Sequence, residues 1–110
     1  MKVVVKSEDV KLDDLGKGVS RKVLSHNSNL MMVEVHFEEG AVGELHSHYH
    51  EQCTYVAEGE FEFTIGDKKE IVKKGDSIYF ESNIKHGNIC LKKGYLVDVF
   101  TPMREDFLKK

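Results

Sequence analysis

Apolar and polar residues alternate with a period of two through much of this chain, and no long stretch repeats with a helical period. From Leu30 to Glu39, LMMVEVHFEE puts Val33, Val35 and Phe37 on one face and Glu34, His36 and Glu38 on the other, the pattern of a half-buried strand. Thr54 to Ala57 reads as a short apolar strand and Glu58-Gly59-Glu60 as a turn. Phe61, Phe63 and Ile65 then alternate with Glu60, Glu62 and Thr64, so this strand has one wet face. Gly66-Asp67-Lys68-Lys69 has the residues of a hairpin turn, and Glu70 to Val72 starts the returning strand. Lys73-Lys74-Gly75-Asp76 turns again into a strand from Ser77 to Phe80, and a loop over Glu81 to Lys85 leads to His86. The last strand, Tyr95 to Thr101, ends at Pro102, the only proline, and the tail MREDFLKK has room for one helical turn. Residues 1–18 hold the β-prone run Val3 to Val5, then polar residues with Gly16 and Gly18. They read as an edge strand, a dimer arm or a loosely held terminus. Many short strands divided by glycine turns predict an all-β sandwich or barrel.

Composition narrows the function classes. At 110 residues the chain fits one domain, with 40% hydrophobic and 32% charged residues as in an ordered globular protein. Net charge is −3 with both signs interspersed, which argues against nucleic acid and membrane surfaces as partners. No apolar run is long enough to span a bilayer, and MKVVVKSEDVK lacks the apolar core of a secretory signal. Cys53 and Cys90 form no CxxC pair, so a reducing cytoplasm is expected.

The chemistry concentrates in Gly40 to Gly59, GAVGELHSHYHEQCTYVAEG. On an extended strand His46 and His48 leave the same face with Cα atoms roughly 6.6 Å apart, close enough to converge on one ion. Gln52 and His86 are the further ligands. His46, His48, His50 and Gln52 have the same parity, and a straight strand would spread them over about 20 Å, which no ion spans. The chain must therefore bend between His48 and Gln52, with Tyr49-His50-Glu51 as the corner and His50 outside the ligand set. Glu51 is a rival oxygen ligand on charge grounds, but its parity sets it on the other face. Imidazole ligands suit one divalent ion of zinc, nickel, iron, cobalt, manganese or copper, and three of them with one oxygen leave coordination positions open. His36 reads as a solvated or packed residue before a cavity-facing one.

A second constellation lies in YLVDVFTPMREDFL. Leu96, Asp98 and Phe100 share one strand face, and an aspartate there must find partners. It is either a proton-transfer group of shifted pKa or a structural carboxylate satisfied by backbone donors. Arg104 is either a bidentate holder of a substrate carboxylate or half of a surface ion pair with Glu105 or Asp106.

These residues carry a family resemblance. Gly40, His46, His48, Gln52 and Gly59 keep every spacing of the first cupin motif, G-x5-H-x-H-x3-E-x6-G, with glutamine in the glutamate position. Gly75 and His86 match the second, G-x5-P-x-G-x2-H-x3-N, where Glu81, Asn83 and Cys90 replace the proline, the second glycine and the asparagine. The resemblance implies a cupin jelly-roll barrel, a double-stranded β-helix. An amide at residue 52 leaves an ion more Lewis acidity than a carboxylate would and suits an anionic substrate.

The whole chain, and in particular ELHSHYHEQ, YVAEGEFEFTIGD, GDSIYFESNIKHG and LVDVFTPMREDFL, resembles the small single-domain cupins of pectin and alginate breakdown. Those are dimeric isomerase-type enzymes that convert 4,5-unsaturated uronate monosaccharides to the linear 4-deoxy-5-keto form. The resemblance implies metal ligands at His46, His48, Gln52 and His86 and functional positions at Asp98, Phe100 and Arg104. Asp98 would move the proton, Arg104 grip the carboxylate and Phe100 pack on the sugar ring. A homodimer exchanging residues 2–6 is expected. The rival readings are another small metal-cupin enzyme, a sugar isomerase or dioxygenase, and a non-enzymatic sugar-binding cupin.

Overall fold

The computed structural model describes residues 3–108. Eight strands follow one another: β1 (Asp13–Gly16), β2 (Val19–His26), β3 (Met31–Phe37), β4 (Val42–His46), β5 (Glu51–Ile65), β6 (Lys68–Lys73), β7 (Ser77–Phe80) and β8 (His86–Thr101). Short 3-10 turns over Ser7–Asp9 and Glu105–Leu108 are the only helical segments among the described residues. All strand pairs are antiparallel. The alternating runs around Val33, Phe61 and Ser77 form strands as their periodicity predicts, and the Gly66-Asp67 hairpin closes with Ile65 opposite Lys68.

Two long strands organise the barrel. The first half of β5 pairs with β7 and with the second half of β8; its second half pairs with β6 and with the first half of β8. β3 extends one sheet from the second half of β8, and β4 extends the other from the first half. Both long strands therefore belong to two facing sheets, as the expected jelly roll requires. The predicted turn at Glu58-Gly59-Glu60 is not a chain reversal. β5 runs through it, with register shifts at Val56/Glu58, Glu58/Glu60 and Glu60/Phe61. These bulges exchange the faces: Gln52, Thr54 and Val56 point inward before them, Phe61 and Phe63 after them. Local sequence shows only two apolar runs broken by a glycine; the partner strand makes them one element.

Gly59 and Gly94 meet where the two strands bend. A Cβ on Gly94 would lie 1.9 Å from the Glu58 carbonyl oxygen, and one on Gly59 would lie 2.5 Å from the Lys92 carbonyl oxygen. Only glycine lets the two backbones approach this closely. The main core gathers Phe37, Val56, Phe61, Phe63, Phe80 and Leu96 between the sheets, and a smaller cluster of Met31, Val33 and Phe100 lies beside the candidate site.

The N-terminal expectation changes. Among the described residues Val3 to Val5 join no sheet, and the edge strand is instead β1, Asp13–Gly16. It turns into β2 through Lys17 and Gly18, both at positive φ (54° and 82°), the backbone of a type I′ hairpin. β2 has no counterpart in the predicted strands; its alternation, Val19, Arg21, Val23, is broken by polar and charged residues.

Candidate metal centre

His46 is the last residue of β4 and His86 the first of β8, and the two are direct cross-strand partners. The chain leaves the sheet straight after His46, so His48 sits in the connection to β5 and does not share a strand with His46. The bend expected after His48 thus begins two residues earlier. Even so the three rings converge, with centroids 5.5 Å apart for His46 and His48, 4.5 Å for His46 and His86, and 5.0 Å for His48 and His86. One nitrogen of each ring lies within 4.8 Å of those of the other two.

The hydrogen bonds fix which nitrogen each ring offers. Nδ1 donates to a main-chain carbonyl in all three: to Glu44 from His46 (2.8 Å), to His50 from His48 (3.1 Å) and to Ile84 from His86 (3.0 Å). A carbonyl only accepts, so Nδ1 carries the proton and Nε2 of the neutral ring carries a lone pair. Burial keeps His86 neutral by pulling its pKa down to about 4, and burial likewise lowers His48.

Gln52 opens β5 on the inner face. Its Nε2 donates to Thr54 Oγ1 (2.9 Å), and Thr54 Oγ1 donates to Asp98 Oδ1 (2.6 Å). This turns the Gln52 carbonyl toward the rings, where Oε1 lies 3.0 Å from His48 Nε2. Two acceptors then face each other with no proton between them, an arrangement a shared cation resolves. The donor set of three imidazole nitrogens and one amide oxygen fits a divalent transition metal.

Asp98 is 8% exposed, between Val33 on β3 and Thr54 on β5. Burial raises its pKa to about 6, against the opposing pull of the Thr54 hydrogen bond, the nearby Gln52 amide and the Arg104 charge. Its hydrogen-bonding partner is a side-chain hydroxyl, not the backbone donors considered from sequence. Phe100 is buried two residues further on, its ring edge-on to His48 at 5.7 Å. Arg104 makes the ion pair expected with Asp106. It forks onto Asp106 through Nε (3.1 Å) and Nη2 (3.0 Å), yet its side chain is only 12% exposed and packs over Phe100 at 5.1 Å.

A cavity of about 230 Å³ brings His46, Gln52, His86, Asp98, Phe100 and Arg104 together. His50 is buried outside the three-ring cluster, against Tyr49, and Glu51 points to solvent and accepts from the Tyr79 hydroxyl. His36 stacks on Tyr95 at 4.7 Å and meets Glu34 at 2.8 Å, the packed alternative. Three lining or linking residues escape sequence reasoning. Thr54 shares parity with Gln52, and Asn88 follows His86 by two, so periodicity was sufficient to find both. Arg21 lies on β2, between Val19 and Val23, and needed that strand to be recognised.

The sequence profile of the cupin domain matches residues 33–100. The chain belongs to the cupin family. This cupin is 45% identical over 98 residues to the pectin degradation protein KdgF of Dickeya dadantii (strain 3937), covering 87% of this chain and 89% of that protein. It superposes on an RmlC-like cupin from Shewanella frigidimarina with a TM-score of 0.94, at 36% identity over 97% of this chain and 96% of the other. KdgF from a Halomonas species superposes with a TM-score of 0.92, at 31% identity over 97% and 99%. The jelly roll expected from the two motifs is thus the fold this cupin has, and Asn83, which replaces a motif glycine, adopts a positive φ of 67° there.

Proposed function

We propose that this cupin is a metal-dependent, isomerase-type enzyme that promotes ring opening and ketonisation of 4,5-unsaturated uronate monosaccharides from pectin or alginate. The name of the Dickeya relative supports the pathway, and one observation carries the chemistry: a buried carboxyl poised near pH 6 is wired through Thr54 to the Gln52 amide beside three histidines. A zinc, nickel, iron, manganese or cobalt ion held by His46, His48, His86 and the Gln52 carbonyl supplies Lewis acidity to substrate oxygens.

The protein's own groups do the rest. Ring opening of the unsaturated uronate yields an enol, whose hydroxyl proton is lost as a proton is added at carbon, leaving the ketone. Asp98, with Oδ1 tied to Thr54, has Oδ2 for taking one proton and giving the other. A carboxyl with a pKa of about 6 exists in both forms near neutral pH, as such a shuttle requires. Arg104 binds the substrate carboxylate with the donors that Asp106 leaves free, and Phe100 supports the sugar ring. Val19, Val35, Phe63, Leu96 and Phe107 form the apolar part of the cavity wall.

The deciding experiment follows the conjugated ultraviolet absorbance of an unsaturated uronate with metal-loaded protein. Faster decay than in buffer, lost on chelation and restored by metal, is expected; decay no faster than buffer with metal bound overturns the reading. An oxygen electrode separates it from a dioxygenase, since ketonisation consumes no oxygen.

A homodimer is part of the proposal. Met32, Tyr55 and Tyr79 are 38, 50 and 58% exposed on the outer face of the sheet that carries Val97 and Val99. Val3, in the arm proposed to exchange (residues 2–6, of which residue 2 lies outside the described residues), borders the adjoining groove beside Met32 and Val99. The free cysteines, Cys53 exposed and Cys90 buried, suit the cytoplasm.

A further inference from the structure

Four buried side-chain atoms lack a hydrogen-bond partner among the described residues: Arg21 Nε, both ring nitrogens of His50, and Asn88 Oδ1. Arg21 is the charged one, and it lines the cavity of the histidine cluster. An unpartnered buried donor costs roughly 1–3 kcal/mol, and more when charged. Such a group calls for a partner that the described residues do not supply.

The guanidinium is held in place but left unused. It packs over the Phe107 ring with its central carbon 3.9 Å from the ring centroid, and the Arg104 carbon lies 4.3 Å from the same centroid. The two guanidinium carbons can therefore be no further apart than the sum of those distances. Arg104 spends its Nε and Nη2 donors on Asp106. Arg21 forms no ion pair and no side-chain hydrogen bond with any described residue: its Nε is buried and unpartnered, and its two terminal Nη groups, the end of the fork that can take a carboxylate, are uncommitted. Burial pulls its pKa below the ordinary value, partly offset by the charges of Asp106 and Asp13, as expected of a cation short of a close counter-ion.

We infer that Arg21 is a second carboxylate-binding residue of this cavity: its free fork takes the substrate carboxylate beside Arg104 and selects acidic over neutral sugars. The inference rests on the uronate reading of the site. It assigns the bidentate contact to Arg21 and leaves Arg104, tied to Asp106, as a supporting donor. Arg21 is placed to bind substrate, not to transfer the proton, so its loss weakens binding more than turnover.

The test uses metal-loaded protein and galacturonate, a saturated uronate, with galactose as the neutral control, both titrated by calorimetry. Arg21→Gln is expected to weaken galacturonate roughly 10- to 100-fold and leave galactose within about threefold. Arg21→Lys, which keeps the charge but loses the fork, is expected to fall between, and it carries the test if the glutamine variant does not fold. With an unsaturated uronate, KM rises and kcat stays within about threefold. Galacturonate affinity unchanged in the variants, or a wild-type protein that binds galacturonate no better than galactose, overturns the inference. If ketonisation fails while Arg21-dependent galacturonate binding holds, the reaction is wrong and the carboxylate site stands.

Discussion

Thr54 and Asp98 are 44 residues apart in the chain and directly opposite each other across β5 and β8, where the threonine hydroxyl donates a 2.6 Å hydrogen bond to the carboxylate. The same hydroxyl accepts from Gln52, so the protonation of Asp98 and the orientation of the Gln52 carbonyl are coupled through one oxygen. An ionised Asp98 needs the Thr54 proton; Thr54 then has only lone pairs to offer Gln52, whose carbonyl must turn to the histidines.

Asp98→Asn removes the proton shuttle and is expected to lower kcat by about 10²- to 10⁴-fold with metal content unchanged. Its stability effect has the opposite sign in metal-free protein. The folded pKa is raised from 3.8 to about 6, so the wild-type contribution is full below pH 3.8 and is lost as pH rises to 6. The variant lacks this loss. It should match the wild type near pH 4 and exceed it by about 3 kcal/mol above pH 6, read as a higher Tm across a pH series.

Thr54→Val deletes the link between Gln52 and Asp98. Without its donor the carboxyl loses a hydrogen bond that holds its pKa down, so the inflection assigned to Asp98 in the pH–rate profile moves above 6. A kcat loss of about tenfold accompanies it. An unmoved inflection would show that Thr54 does not tune Asp98.

Gln52→Glu places a second carboxylate across Thr54 from Asp98. Metal is held more tightly against a competing chelator, while kcat falls about tenfold or more because the added charge damps the ion's Lewis acidity. Elemental analysis with steady-state rates on the same sample separates the two effects.

Gly94→Ala tests the crossing of the long strands. The added Cβ collides with the Glu58 carbonyl, and both contacts are backbone, so a destabilisation of ~3 kcal/mol or more is expected. Gly75→Ala meets no atom within 4 Å and pays only for its positive φ of 95°, about 1 kcal/mol. Urea midpoints of the two variants give the comparison.

The strand alternation around Val33, Phe61 and Asp98, the Gly66-Asp67 hairpin and the identity of His46, His48 and His86 as candidate ligands are legible in the sequence. The alternation and the hairpin follow from two-residue periodicity and turn chemistry, both local to the chain, while motif spacing picks out the three histidines and the pairing of β4 with β8 brings His46 to His86. Tertiary structure decided the rest. The bulges at Gly59 exchange the faces of β5 only because β8 pairs with both halves, so Gln52 and Thr54 join Asp98 while Phe61 and Phe63 enter the core. Arg21 reaches the cavity because β2 pairs with β3, and Arg104 serves both Asp106 and the cavity because the C-terminal turn folds back over Phe100 and Phe107. Such pairings are set by which distant surfaces bury each other, and a periodic pattern records that a face is buried without recording what covers it.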